Sequence, residues 1–291
     1  MRRLALIAVL VACSPSASPR PPKVPTMTTT GHAPVNGLQL YYEIHGTGEP
    51  LIVLHGALGS VEMFGPNVET LAANRQVIAV DLQAHGRTAD IARPLTYEAM
   101  GDDIAALIDH LRLGTADVMG YSLGGGVALQ TALRHPEKVR RLVVVSAVFQ
   151  RDAWFPEVRT GMDHLGPQLA DMMKPSPVYQ RYTKLSPRPD FAGLLGKVGA
   201  LVKQDYDWTG EVGKLGPTLI VVGDADGMSP ARAAEMFARL GGGQRDPGWD
   251  GSATRSPSQL AILPGVTHYD MPVRPELAAT VERFLAQAPA R

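Results

Sequence analysis

Apolar positions fall into two periodicities along most of the chain. Leu38 to Ile44 alternates, Leu51 to Leu54 is continuously apolar, and Gln76 to Asp81 repeats that run, so each predicts a strand. Ile104, Leu107, Ile108 and Leu111 recur at helical spacing, with Thr96 as N-cap and Gly114 as stop, which predicts a helix reaching about Leu113. Strands are further predicted at Ala116 to Gly120, Arg141 to Ser146, Thr218 to Val222 and Gln259 to Leu263. Helices are predicted at Gly124 to Arg134, Pro230 to Leu240 and Pro275 to Leu285. Apolar strands alternating with helices imply an α/β fold with a mostly parallel sheet covered on both faces.

The alternation breaks between Ser146 and Thr218. That segment holds Trp154, Phe155, Met162, Met172, Met173, Tyr179, Tyr182, Tyr206 and Trp208 with no strand pattern, and predicts a helical insertion at about 149–214. Gly241 to Pro257, rich in Gly, Pro, Asp and Ser, predicts a surface loop.

Composition narrows the partners. Lys and Arg number 28 against 28 Asp and Glu, and no basic run is longer than a pair such as Arg140-Arg141, which leaves no electrostatic footprint for nucleic acid. No apolar run approaches the roughly 20 residues of a bilayer crossing. The single cysteine, Cys13, excludes an internal disulfide framework and a thiolate zinc site.

The cysteine's position is informative. Met1-Arg2-Arg3 is a basic start, Leu4 to Ala12 is apolar, and Ser14 to Pro25 is rich in Ser and Pro, the pattern of a secretory signal with a spacer. Leu10-Val11-Ala12-Cys13 resembles the lipobox of bacterial lipoproteins. The resemblance implies a signal over 1–12, a lipid anchor at Cys13, a Pro/Ser/Thr-rich linker over 13–34, a folded domain over 35–288 and a place in the cell envelope. The alternative is a true start at Met27 and a cytoplasmic protein.

The strongest chemical signal is Gly120-Tyr121-Ser122-Leu123-Gly124, because it follows an apolar strand and opens a helix, the context that turns a G-x-S-x-G match into a nucleophile elbow. A serine on so tight a turn needs small residues two before and two after it. With His55-Gly56 after the first long apolar strand and Asp81-x-x-x-His85-Gly86-x-Thr88 after the next, the chain from Val35 to Leu285 resembles the α/β-hydrolase family. The resemblance implies backbone N–H donors to an oxyanion at Ala57 and Leu123, each worth about 3 kcal/mol in the transition state.

A serine hydroxyl needs a base, most often histidine. Of eight histidines, His268 follows the last predicted strand, where the family places its catalytic histidine. His55 falls in the oxyanion loop, His85 in a structural turn and His135 at a helix end. The carboxylate should end the penultimate strand, where Val222-Gly223-Asp224-Ala225-Asp226-Gly227 offers two candidates. The family's turn selects Asp226 and leaves Asp224 to cap it. The triad Ser122, Asp226 and His268 would then cleave a carboxylic ester or related acyl bond of a small molecule through an acyl-enzyme, with no cofactor or metal.

The insertion resembles a family cap, and Trp154, Phe155 and Trp208 are the aromatics expected in a substrate pocket. Two alternatives remain: same-fold chemistry such as carbon–carbon hydrolysis, lyase action or cofactor-free perhydrolysis, and a catalytically silent binding protein.

Overall fold

A computed structural model describes residues 28–249 and 255–287. The signal, the Cys13 anchor, the Met27 start and most of the linker lie outside the described residues.

The chain enters as a hairpin, β1 (Thr28–Val35) against β2 (Leu38–His45), with Val35 facing Leu38 across Asn36-Gly37. Both turn residues have positive φ, 47° and 84°, the pairing that lets a two-residue turn match the twist of its strands. Residues 28–34 are therefore paired edge strand, where the sequence predicted linker, and Ala33 and Val35 are buried. The polar Thr28-Thr29-Thr30 run hides this, since one face of an edge strand is open to water.

Six more strands follow: β3 (Pro50–Leu54), β4 (Gln76–Val80), β5 (Ala116–Tyr121), β6 (Val139–Val145), β7 (Thr218–Ala225) and β8 (Gln259–Thr267). They form one sheet of order β1-β2-β4-β3-β5-β6-β7-β8, antiparallel at β1/β2 and β2/β4 and parallel elsewhere. Both faces of the inner parallel strands, β3 to β7, are buried, while the edge strand β8 is partly open. Ile52, Leu54, Val118, Val144 and Ile220 join one cluster with α2 (Tyr97–His110), α3 (Leu123–Arg134) and α8 (Pro230–Arg239). Leu51, Val53, Met119, Val143 and Leu219 join another with α1 (Asn67–Ala72) and α9 (Pro275–Leu285). Burial on both sides removes the polar alternation that a one-sided sheet shows. Thr96 caps α2 by accepting from Ala99 N, as its position predicts.

Between β6 and β7 the chain forms α4 (Pro156–His164), α5 (Ala170–Met173), α6 (Pro177–Leu185) and α7 (Phe191–Val202). Tyr179, edge-on, and Tyr182, tilted, pack against Phe191 and join α6 to α7. After β3 the chain moves outward to β4, and after β4 it crosses back to β5 on the other side of β3. The carboxyl ends of β3 and β5 thus flank a topological switch point, where open α/β sheets leave a crevice.

Candidate active site

Ser122 ends β5 and opens α3 with φ 54° and ψ −117°, a conformation a side chain adopts only under tertiary constraint. The turn is tight because helix and strand meet almost without clearance. A Cβ on Gly120 would lie 2.0 Å from Gly124 O, and one on Gly124 would lie 2.4 Å from Leu54 O. The tightness lifts Ser122 Oγ above the sheet edge.

His268 Nε2 lies 3.1 Å from Ser122 Oγ, and its Nδ1 lies 2.8 Å from Asp226 Oδ1. β7 and β8 run up to these two residues, further than the sequence predicted. A register shift after Gly223 brings Ala225 opposite Thr267, so Asp226 and His268 follow from adjacent strand ends. Asp226 also accepts from Gly227 N at 2.6 Å, Ser146 Oγ at 2.6 Å and Gly223 N at 3.1 Å. Burial alone would push its carboxyl up, but the His268 contact and these donors outweigh it and hold the pKa below the usual carboxylate value. An ionised Asp226 accepts a hydrogen bond from Nδ1–H, which leaves Nε2 as the acceptor facing the Ser122 hydroxyl. Asp224 is exposed and accepts from Gly265 N, the turn-capping role its position predicts.

Ala57 and Leu123 flank Ser122, and among the described residues neither backbone N–H donates to a protein acceptor. Leu123 N belongs to the first turn of α3, whose N–H groups have no intrahelical partner. The loop carrying Ala57 is held by two buried histidines. His55 Nε2 accepts from Leu82 N, and His85 Nε2 accepts from Leu58 N, both at 3.1 Å. Each returns its Nδ1 proton to a carbonyl, Gly56 O and Gln83 O, at 2.8 Å. Both rings are thus neutral, and burial pushes their pKa down, to about 4 for His55 and about 3 for His85. Asp81 ties the same loop down by accepting from Val61 N and Arg87 N, each at 2.8 Å.

Two cavities meet at Ser122. The inner one, about 110 Å³, is walled by Leu123, Val148, Met162, Leu165, Val202 and Trp154, with Tyr97 and Tyr206 beside them. The outer one, about 520 Å³, contains His268, Tyr269, Met63, Val178 and Arg181. A further cavity, about 890 Å³, lies along α8 and the loop after it and shares no residue with these two.

Of the three aromatics expected in the pocket, only Trp154 lines it, edge-on to the His268 ring at 5.5 Å. Phe155 is turned out and 41% exposed, because its backbone N–H is drawn to Gly227 O at the start of α4. Trp208 is buried one layer back, stacked on Tyr206 at 4.4 Å, so Tyr206 takes the place at the wall. Sequence reasoning also missed Ser146 and Tyr121. Ser146 is a polar residue ending an apolar strand, a legible signal. Tyr121 turns its hydroxyl back to His268 O at 2.5 Å, which no local pattern reveals.

An eight-stranded, mostly parallel sheet with a serine elbow after its fifth strand and a Ser-His-Asp cluster at its carboxyl edge decides the architecture. The chain has the α/β-hydrolase fold. A family model described as alpha/beta hydrolase fold matches residues 49–175. The putative carbamate hydrolase RutD of Azorhizobium caulinodans is 36% identical over 115 residues, 40% of this chain and 43% of that protein. The matched stretch is thus less than half of that relative's length. Among solved structures, the enol-lactonase of Burkholderia xenovorans aligns with TM-score 0.66 and 21% identity, covering 88% of this chain and 100% of that one. A thermophilic esterase of Thermogutta terrifontis aligns with TM-score 0.66 and 23% identity, covering 89% and 98%.

Proposed function

We propose that the protein is a serine hydrolase that cleaves a carboxylic ester or related acyl bond of a small molecule. The observation that carries the reading is the hydrogen-bonded chain Asp226–His268–Ser122 at the switch point of the α/β-hydrolase fold, in a cavity that Ala57 and Leu123 also line. The names of its relatives, a putative carbamate hydrolase, an enol-lactonase and an esterase, support acyl hydrolysis as the reaction class.

In this reading His268 Nε2 takes the Ser122 proton as Oγ attacks the acyl carbon, and the backbone N–H groups of Ala57 and Leu123 stabilise the oxyanion. His268 then gives that proton to the leaving group, which departs. A water loses its proton to His268, attacks the acyl-enzyme and releases the acid with Ser122 restored. Asp226 holds the imidazole and stabilises its cation without taking the proton. The narrow inner cavity and the helical cap favour a small substrate over a polymer.

A panel of p-nitrophenyl esters tests this with wild type and Ser122→Ala in parallel. Turnover by the wild type with loss in the variant is the expected result. A folded wild type inert on every ester would overturn the acyl hydrolase and move the same-fold lyase and carbon–carbon chemistries ahead.

A further inference from the structure

The two cavities at Ser122 have unequal relations to His268, and this assigns them. The leaving group must receive its proton from His268, so it occupies the chamber that contains His268, the outer one. The acyl group then extends into the inner chamber, which contains Ser122 and Leu123 but not His268. At about 110 Å³ the inner chamber is smaller than the roughly 150 Å³ cavity that admits a benzene. Only a short acyl chain fits.

The wall of this chamber is apolar except at one place. Tyr206 lies beside Tyr97, ring centroids 5.5 Å apart, and its hydroxyl oxygen accepts the indole N–H of Trp154 at 3.3 Å. Among the described residues no protein acceptor meets the Tyr206 O–H itself, which leaves that proton free to donate. A phenol fixed by stacking on Trp208 and by the incoming Trp154 N–H therefore offers a proton to a short, otherwise apolar chamber. No Asp, Glu, Lys, Arg or His lines that chamber, so a charged acyl group would be buried without a counter-ion.

We propose that Tyr206 determines acyl specificity by donating a hydrogen bond to a neutral acceptor oxygen, ether or ketone, carried on a short acyl chain. This rests on the acyl hydrolase reading above and names the substrate class for that site.

Paired p-nitrophenyl esters that differ by one atom test it: methoxyacetate against butyrate, and 3-methoxypropanoate against pentanoate, an oxygen replacing a methylene in each. Every kcat/KM is divided by the alkaline hydrolysis rate of the same ester to remove intrinsic reactivity. The wild type is expected to favour the oxygen-bearing member of at least one pair by about three- to tenfold, the worth of one neutral hydrogen bond. In Tyr206→Phe, with folding checked by circular dichroism, the preference should vanish because the loss falls on the oxygen-bearing ester. Equal use of both members by the wild type overturns the proposal whether or not the variant folds, as does a preference that survives in the folded variant. A wild type inert on all four esters fails differently, since it removes the hydrolase reading itself.

Discussion

Replacing Asp226 with asparagine separates two roles of the carboxylate. Three of its four donors are fixed: His268 Nδ1–H and Gly227 N–H on Oδ1, and Gly223 N–H on Oδ2; only the Ser146 hydroxyl rotates. An amide with its oxygen at the Oδ1 position keeps His268 and Gly227 and lets Ser146 turn to accept. Its NH₂ then opposes the more distant Gly223 N–H, an unsatisfied pair costing about 1–3 kcal/mol of stability. The flipped amide abandons two fixed donors and is the worse choice. Asp226→Asn therefore keeps His268 in the tautomer that accepts from Ser122, and what it loses is the charge facing the imidazolium. Two unit charges about 4 Å apart at an effective dielectric near 20 interact by about 4 kcal/mol. That corresponds to about a 10³-fold fall in kcat. The assay is p-nitrophenyl acetate turnover beside a thermal melt. A folded Asp226→Asn within about tenfold of wild-type kcat would refute Asp226 as the third member.

Other outcomes follow from the same geometry. Ser122→Gly should be inactive yet melt higher, because glycine relieves backbone strain of the order of 1–3 kcal/mol at φ 54° and ψ −117°; an unchanged or lower melting temperature would count against stored strain. Gly124→Ala should lose both activity and stability, since its methyl would sit 2.4 Å from Leu54 O at the elbow; a soluble, active variant would contradict the packing. His85→Gln tests a pH linkage: the wild-type ring is neutral when folded, with its pKa lowered to about 3, so the unfolded chain binds its proton first and stability is lost as pH falls below about 6.5. The variant keeps an acceptor for Leu58 N but lacks this titration, so its stability relative to wild type should improve by about 2 kcal/mol between pH 7.5 and pH 5 in urea melts; a constant difference would exclude the linkage. Met162→Ala should move the preferred acyl chain to greater length by enlarging the inner chamber, and an unmoved chain-length profile would exclude the cavity as the acyl pocket.

The sequence by itself determined the strand and helix alternation, the elbow and the identity of the candidate triad. Each of these is local: an apolar run buried on both faces, a serine between glycines where a strand meets a helix, a histidine and an aspartate just past a strand end. It also carried a signal that went unread, Asn36-Gly37, whose turn recruits Thr28 to Pro34 into the sheet. Tertiary structure alone decided which aromatics face the substrate. Trp154, Phe155 and Trp208 share chemistry and neighbourhood, yet one lines the pocket, one faces solvent and one stacks behind Tyr206. Their side-chain directions depend on a backbone bond from Phe155 to Gly227 and on a stack with Tyr206, contacts between segments that sequence periodicity does not encode. The same holds for Ser146 on Asp226 and His85 on Leu58, where partners 80 and 27 positions apart meet only because the sheet order brings their strand ends together.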